Sequence, residues 1–412
     1  MDMHTPTRTD GGAAERGRHP VRMAPTPAEL TRRTTALAPM IAAHAAEAER
    51  LRRIPDPVWS ALADAGFFRQ FVPKAFGGMA SDIDGFVDAS LPIAEACAST
   101  AWVATFCAKD NWFLAHFPPE TQAELWQNGA GYIAAAAVNS PPGRVERVAG
   151  GLRLTGAWKY GTGISHAGWV IAGAMLREGD GPPQPIGCIF PAGQAEVLDT
   201  WHADGMAGTG SHDIRVSELF VPEARTSPMP PFFAGRGIGS RRYPEAVYSA
   251  PMVPFLAATA AVPVLGAAKG ALRHFRERLA GHAKPGAEIR QADRPAVQIR
   301  LAEADLMIGA AELLVREAGR RAVAAGAIDG PGQTPVRIAV RAQSAHAVGL
   351  CRQAALHLAE GAGSGVHMLD QPFQRIVRDI NMMASHFGFD VDTAYELHGR
   401  ALLGLPPNSP LT

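Results

Sequence analysis

Three short stretches carry side chains that could do chemistry. Asp110-Asn111-Trp112 places a carboxylate beside an aromatic ring, and Gly161-Thr162-Gly163 places a hydroxyl in a turn, with Ser165 and His166 just behind it. Ser385-His386-Phe387 places an imidazole, suited to proton transfer near neutral pH, shortly after the charged pair Arg378-Asp379. Residue type alone also allows plainer readings. A hydroxyl residue is common in a glycine turn, Trp112 and Phe117 have the spacing of core aromatics, and Arg378-Asp379 suits an ion pair that stabilises helices or an oligomer. The four cysteines, Cys97, Cys107, Cys188 and Cys351, lie far apart with no CxxC spacing. That argues against a zinc site, a redox motif and a disulfide framework, so no metal is expected and a reducing cytoplasm fits best.

The elements that must position these groups fall into three blocks. Residues 28–130 have helical texture, with Leu30, Leu37, Met40 and Ile41 at three- and four-residue spacing. Helices are expected over 55–65, ended by Gly66, and over 83–98 and 99–117, the last closed by Pro118-Pro119. Over 131–245 the period changes to two. Candidate strands are 132–138, 144–148, 152–160, 169–174, 186–190 and 214–221, and Gly150-Gly151 signals a hairpin. Their density predicts a compact β-barrel or sandwich. Helical texture returns over 246–412, where Val297, Leu301, Ala304, Ile308 and Ala311 share one stripe, and long helices with short joints predict a bundle. Breaks are expected at 281–293 and 326–335. Residues 1–27 read as a disordered tail without an apolar signal region, and Met23 is an alternative first residue.

Composition narrows the function classes. The chain has 412 residues, 47% of them hydrophobic, enough for two or three domains with sizeable cores. Its 39 Lys and Arg balance 39 Asp and Glu, so no net field draws it to nucleic acid or an anionic membrane. No unbroken apolar run reaches bilayer length; the stretch 258–268 is interrupted by Pro263. No βαβ alternation or nicotinamide-binding glycine fingerprint is present.

Helices, a small β domain and a four-helix bundle, in that order, resemble the acyl-CoA dehydrogenase fold, mainly α with a central β domain. The likeness covers nearly the whole chain after the tail. Residues 154–163, Leu-Thr-Gly-Ala-Trp-Lys-Tyr-Gly-Thr-Gly, followed by Trp169, resemble that fold's flavin-contacting strand and turn. Residues 208–213, Gly-Thr-Gly-Ser-His-Asp, resemble its second β-domain loop, and Gly363-Ser364-Gly365 with Arg378-Asp379 resemble its glycine turn and late helix. Within the superfamily, residues 98–103, Asn111-Trp112, Phe117 and Gly208-Thr209-Gly210-Ser211 are closer to the two-component, group D flavin-dependent monooxygenases. Ser385-His386-Phe387 stands where the common dehydrogenase pattern has its catalytic glutamate. The other usual location is also empty, because no Asp or Glu occurs between Glu245 and Glu277.

The resemblance implies an oxygenase that takes reduced flavin, FMNH2 or FADH2, from a separate NAD(P)H flavin reductase, reacts it with O2 to a C4a-hydroperoxide and hydroxylates an aromatic or amine small molecule. It implies a homotetramer. Carried over by motif position, Thr162 holds the flavin N5 edge and His386 is the base or the hydroperoxide-stabilising group. Trp158, Tyr160, Gly163 and Ser211 are implied flavin contacts, with Gly363 and Ser364 reaching the flavin of a neighbouring subunit. Asp110, Trp112 and Phe387 are implied substrate contacts. Asp110 stands where many aromatic hydroxylases of this group have histidine, which favours a cationic substrate and keeps N-oxygenation open. Sulfur and carbon–carbon bond oxygenation also stay open. The alternative is an acyl-CoA dehydrogenase using FAD with an atypical base.

Overall fold

A computed structural model of the chain describes residues 24–127, 133, 135–281 and 290–409. The expected tail up to residue 23 and most of the expected connection 281–293 lie outside the described residues. The first block holds α1 (Pro27–Ala43), α2 (Ala45–Leu51), α3 (Asp56–Ala65), α4 (Ile83–Ala96), α5 (Ala98–Ala115) and α6 (Pro119–Gln127). The start of α1 is capped by Thr26, whose side chain accepts the Glu29 amide at 3.2 Å, and α3 ends on Gly66 in the left-handed conformation. Helix α5 differs from its neighbours. Every residue in it except Phe106 is buried, so it is no amphipathic surface helix but a rod through the centre of the molecule.

The middle block is one seven-stranded sheet in the order β5-β6-β2-β1-β3-β4-β7. Its strands are β1 (Ala135–Val148), β2 (Gly151–Trp158), β3 (Trp169–Leu176), β4 (Gln184–Pro191), β5 (Glu196–Leu198), β6 (Asp213–Pro222) and β7 (Thr226–Pro228). The expected strand 144–148 and the described residues 135–138 of the expected strand 132–138 belong to a single strand, β1, whose register with β3 breaks between Val138 and Gly143; residues 132 and 134 lie outside the described residues. Side chains from β4 and β6, separated in the sheet order, meet in one core with Leu152, Leu154 and Trp158. The sheet therefore curls around its own interior, as a partly closed barrel does.

After the short α7 (Pro230–Phe233) come α8 (Met252–Gly281), α9 (Pro295–Ala324), α10 (Gln333–Ala362), α11 (Pro372–Ala384) and α12 (Val391–Leu402). Helices α8 to α11 pack on one another as the bundle, and α12 lies against α10. The stripe on α9 faces inward as its period requires: Ala304, Ile308 and Ala311 are buried, with Val297 and Leu301 half-buried beside them. The break expected over 326–335 is shorter, because α10 begins at Gln333 and takes Pro335 into its first turn, where the missing N–H costs nothing. By length and composition α8 is, among the described residues, the one helix apolar enough to cross a membrane, and most of it is core.

Candidate active site

Three hydroxyls form a line beneath the turn that follows β2. Thr162 Oγ1 lies 3.1 Å from Ser211 Oγ, which lies 2.8 Å from Thr209 Oγ1, and Thr209 donates to the Met206 carbonyl at 2.9 Å. All three residues are buried. Each hydroxyl has one proton, and a carbonyl can only accept, so the order of donation is fixed. Thr209 is spent on Met206; Ser211 must then donate to Thr209, and Thr162 to Ser211. The remaining lone pair of Thr162 Oγ1 is left to accept from a ligand. The turn itself is pressed against α5: Gly163 has φ +83°, and a Cβ there would meet Cys107 Sγ at 2.5 Å. Its Gly161 amide donates to the His212 carbonyl at 2.8 Å, which ties it to the loop carrying Ser211.

The bundle fixes that loop from the other side. The Met206 amide donates to Asp379 Oδ1 on α11 at 2.6 Å, and Ser99 Oγ on α5 lies 3.4 Å from Oδ2. Burial pushes the Asp379 carboxyl up to about 6, against the Met206 amide, which favours the charged form. Arg378 does not pair with Asp379. It bonds Gln374 Oε1 at 2.8 Å, Glu49 Oε1 at 2.6 Å and the Asp204 carbonyl.

His386 lies just beyond α11, against the same central helix. Its ring is 5.4 Å from that of Trp102 and 6.2 Å from that of Phe106, which stack on each other at 4.4 Å one turn apart on α5. Phe387 and Phe389 close in at 4.5 and 5.7 Å. Nδ1 accepts the Gly388 amide at 3.2 Å, so the neutral ring carries its proton on Nε2 and presents a donor. Burial, reinforced by the charge of Lys109, pulls its pKa down to about 4. One turn past Phe106, Lys109 sets its ammonium 3.8 Å from that ring's centre and 3.1 Å from Asp110 Oδ1. Both members of this pair are buried. Burial pushes the Asp110 carboxyl up, while Lys109 and the Ala137 amide hold it down. Thr162 and His386 are thus carried by different domains and joined through α5.

Comparison with known proteins agrees with this layout. Residues 32–129 match the family model of the acyl-CoA dehydrogenase N-terminal domain, and 258–391 that of its C-terminal domain. The chain is 33% identical over 389 residues to a pigment production hydroxylase from Rhodococcus sp. (strain ATCC 21145), covering 94% of this chain and 99% of the relative. It is 32% identical over 400 residues to the oxygenase component of the FADH2-dependent resorcinol hydroxylase of Rhizobium sp. (strain MTP-10005), covering 93% and 98%. XiaF from Streptomyces sp., solved in complex with FADH2 and glycerol, superposes with a TM-score of 0.85 at 30% identity over 93% of this chain and 97% of XiaF. The chain belongs to the flavin-dependent monooxygenases of the acyl-CoA dehydrogenase fold.

The donor set of this monooxygenase fits reduced flavin. Reduced flavin carries a proton on N5, and a hydroxyl whose own proton is already committed, as that of Thr162 is, can accept from it. Tyr160 offers an exposed ring beside the turn, edge-on to Trp201 at 5.4 Å.

The structure corrects the expected contacts of Trp158 and Trp112 and places the other candidates as follows. The Trp158 ring is fully buried in the β-domain core, laid over Gly143 and Gly156 with Nε1 donating to the Gly173 carbonyl at 2.9 Å, so it supports the strand and has no face for a flavin. Trp112 is no substrate wall: it stacks on Phe255 at 4.8 Å, donates to the Val247 carbonyl at 2.9 Å and is fully buried. His166 is likewise occupied, bonded to the Ile54 carbonyl at 2.8 Å and stacked on Trp59. Asp110 is buried and its Oδ1 is paired with Lys109, so its charge is balanced by a neighbouring cation. Phe387 is exposed beside His386, while Gly363 and Ser364 stand exposed at the end of α10, on the bundle and not on the β domain. Sequence reading missed Lys109, Phe106, Thr209 and Asp379 as site residues. Lys109 left a signal, since a lysine in a helix apolar on every side must be buried.

Proposed function

We propose that this monooxygenase is the oxygenase component of a two-component system, hydroxylating an aromatic small molecule with O2 and reduced flavin delivered by a separate NAD(P)H flavin reductase. The polarised hydroxyl line ending at Thr162 carries the proposal, because its free lone pair suits the protonated N5 of the reduced cofactor. When bound, reduced flavin and O2 supply an electrophilic oxygen atom. Thr162 holds the N5 edge, backed by Ser211 and Thr209. His386, with its proton on Nε2 and aromatic rings around it, donates a hydrogen bond toward the developing charge. The neutral tautomer makes it a donor before it is a base. Aromatic substrates are favoured over amines because Trp102, Phe106 and Phe387 line the His386 side, and the charges near it, Lys109 and Arg341, are cations. The oxygenase components named among its relatives support the separate reductase.

The working form is a homotetramer in the cytoplasm. An unpartnered row on α9, Ile299, Leu306 and Leu313 at 58, 72 and 73% exposure, supports assembly, and four buried free thiols suit a reducing compartment. In that assembly Gly363 and Ser364 approach the flavin of a neighbouring copy.

The test is anaerobic titration with FADH2 and FMNH2 followed by rapid mixing with O2. A lag before oxidised-flavin absorbance returns, without any CoA ester present, supports the reading and names the preferred flavin. Tight retention of oxidised FAD that an acyl-CoA bleaches would replace it with a dehydrogenase.

A further inference from the structure

Lys109 is a costly residue to place inside a central helix. Its side chain is 5% exposed and that of Asp110 1%, and taking two charges out of water is repaid only in part by their mutual attraction. The pair is oriented. Its ammonium end lies over the Phe106 ring, which the His386 ring also approaches at 6.2 Å; its carboxylate end is turned toward the Ala137 amide at the start of β1. An ammonium has three N–H donors, and the Asp110 contact takes one. The cationic end of the pair therefore meets the Trp102–Phe106–His386 surround with donors to spare, while His386 itself offers a donor at Nε2. Two donors and a positive charge beside aromatic surfaces recognise an aromatic ring that bears an acidic oxygen.

Resting on the function proposed above, we infer that Lys109 binds the aromatic substrate as its phenolate and so takes over the activating role that a histidine base would otherwise have. The phenolic O–H gives its proton to solvent on binding, and the anion's charge is met by the Lys109 ammonium and the Nε2–H of His386. The electron-rich ring so formed is the better nucleophile toward an electrophilic oxygen. Asp110 moderates the cation and holds it in place. Arg341 on α10, which reaches the Phe387 carbonyl at 3.4 Å, is the other cation near this end of the site.

The probe is para-nitrophenol, whose anion absorbs visible light, titrated across pH into the anaerobic complex with reduced flavin, which is itself bleached. In the wild type the bound probe should ionise about one to three pH units below the free probe, the range set by an opposite charge at close contact. Lys109→Arg should keep most of that shift, and Asp110→Asn should deepen it by leaving the cation unopposed. Lys109→Met combined with Asp110→Asn, which leaves no unpaired buried charge, should abolish it. A neutral bound phenol in the wild type, or an unchanged shift in the double variant, overturns the inference. The wild type mixed with O2 without substrate separates the two claims. No reoxidation lag removes the proposed function itself, whereas a lag with an unshifted probe removes only the role of Lys109.

Discussion

Thr162 and His386 are the residues on which the proposed chemistry depends, and each has a distinct test. Thr162→Val removes the acceptor at the end of the hydroxyl line and leaves Ser211 without its donor, with little change in volume. We expect about a tenfold rise in the share of reduced flavin lost as H2O2, the equivalent of about 1.4 kcal/mol, read by peroxide assay against product. Thr162→Ser should restore coupling. For His386 the sign follows from its lowered pKa. The folded protein binds the proton less readily than an ordinary histidine at 6.5, so its contribution to stability is full above 6.5 and is lost as pH falls through 6.5 toward about 4. Coupling should therefore show no inflection near 6.5. His386→Gln, which can still donate, should couple better than His386→Ala. Both residues stand out as candidates in the sequence because glycines and a neighbouring charged pair frame them. Trp158 and Trp112 were misread for a physical reason: an indole near a functional turn has the same letter whether it faces a ligand or the core. Asp110 suggests a cationic substrate by its letter alone, because its partner is set by a fold that places Lys109 against Phe106.

At the scale of elements, α5 is the common wall. Its successive turns meet Gly208 and Asp379 at Ser99, His386 at Trp102 and Phe106, and the Thr162 turn at Val103 and Cys107. The loop carrying Thr209 and Ser211 is held by one α11 carboxylate, so Asp379→Ala should strand the buried Met206 amide and cost about 1–3 kcal/mol in chemical denaturation. Asp379→Asn keeps an acceptor. With a folded pKa near 6 against an ordinary 3.8, Asp379 favours folding fully only below 3.8 and loses that benefit as pH rises through 6. The stability of Asp379→Asn relative to wild type should accordingly climb between pH 4 and 6 and level off above. Periodicity located α3, α4, α5 and most strands within a few residues. It split β1 in two because Pro141-Pro142-Gly143 reads as a turn, whereas the strand passes through with a register break. It missed the three-residue strands β5 and β7, too short to show a period.

For the whole molecule, the order of helical block, β block and bundle was legible, since each block has its own period and few long stretches lie between them. The proposed assembly rests on resemblance and on an apolar row on α9. The α9 row of Ile299, Leu306 and Leu313 repeats every seven residues and so stays on one face. Leu306→Asp with Leu313→Asp should dissociate the proposed tetramer, seen as a smaller mass in sedimentation or light scattering, while leaving the far-ultraviolet circular dichroism of the subunit intact. An unchanged mass would place assembly elsewhere. The most direct measurement for the central claim is turnover of a phenolic substrate with reduced flavin under isotopically labelled dioxygen, with mass spectrometry of the product. One labelled oxygen atom in the hydroxylated product, the other leaving as water, is the predicted result. A product whose new oxygen comes from water, or an acyl-CoA desaturated without oxygen incorporation, would contradict it.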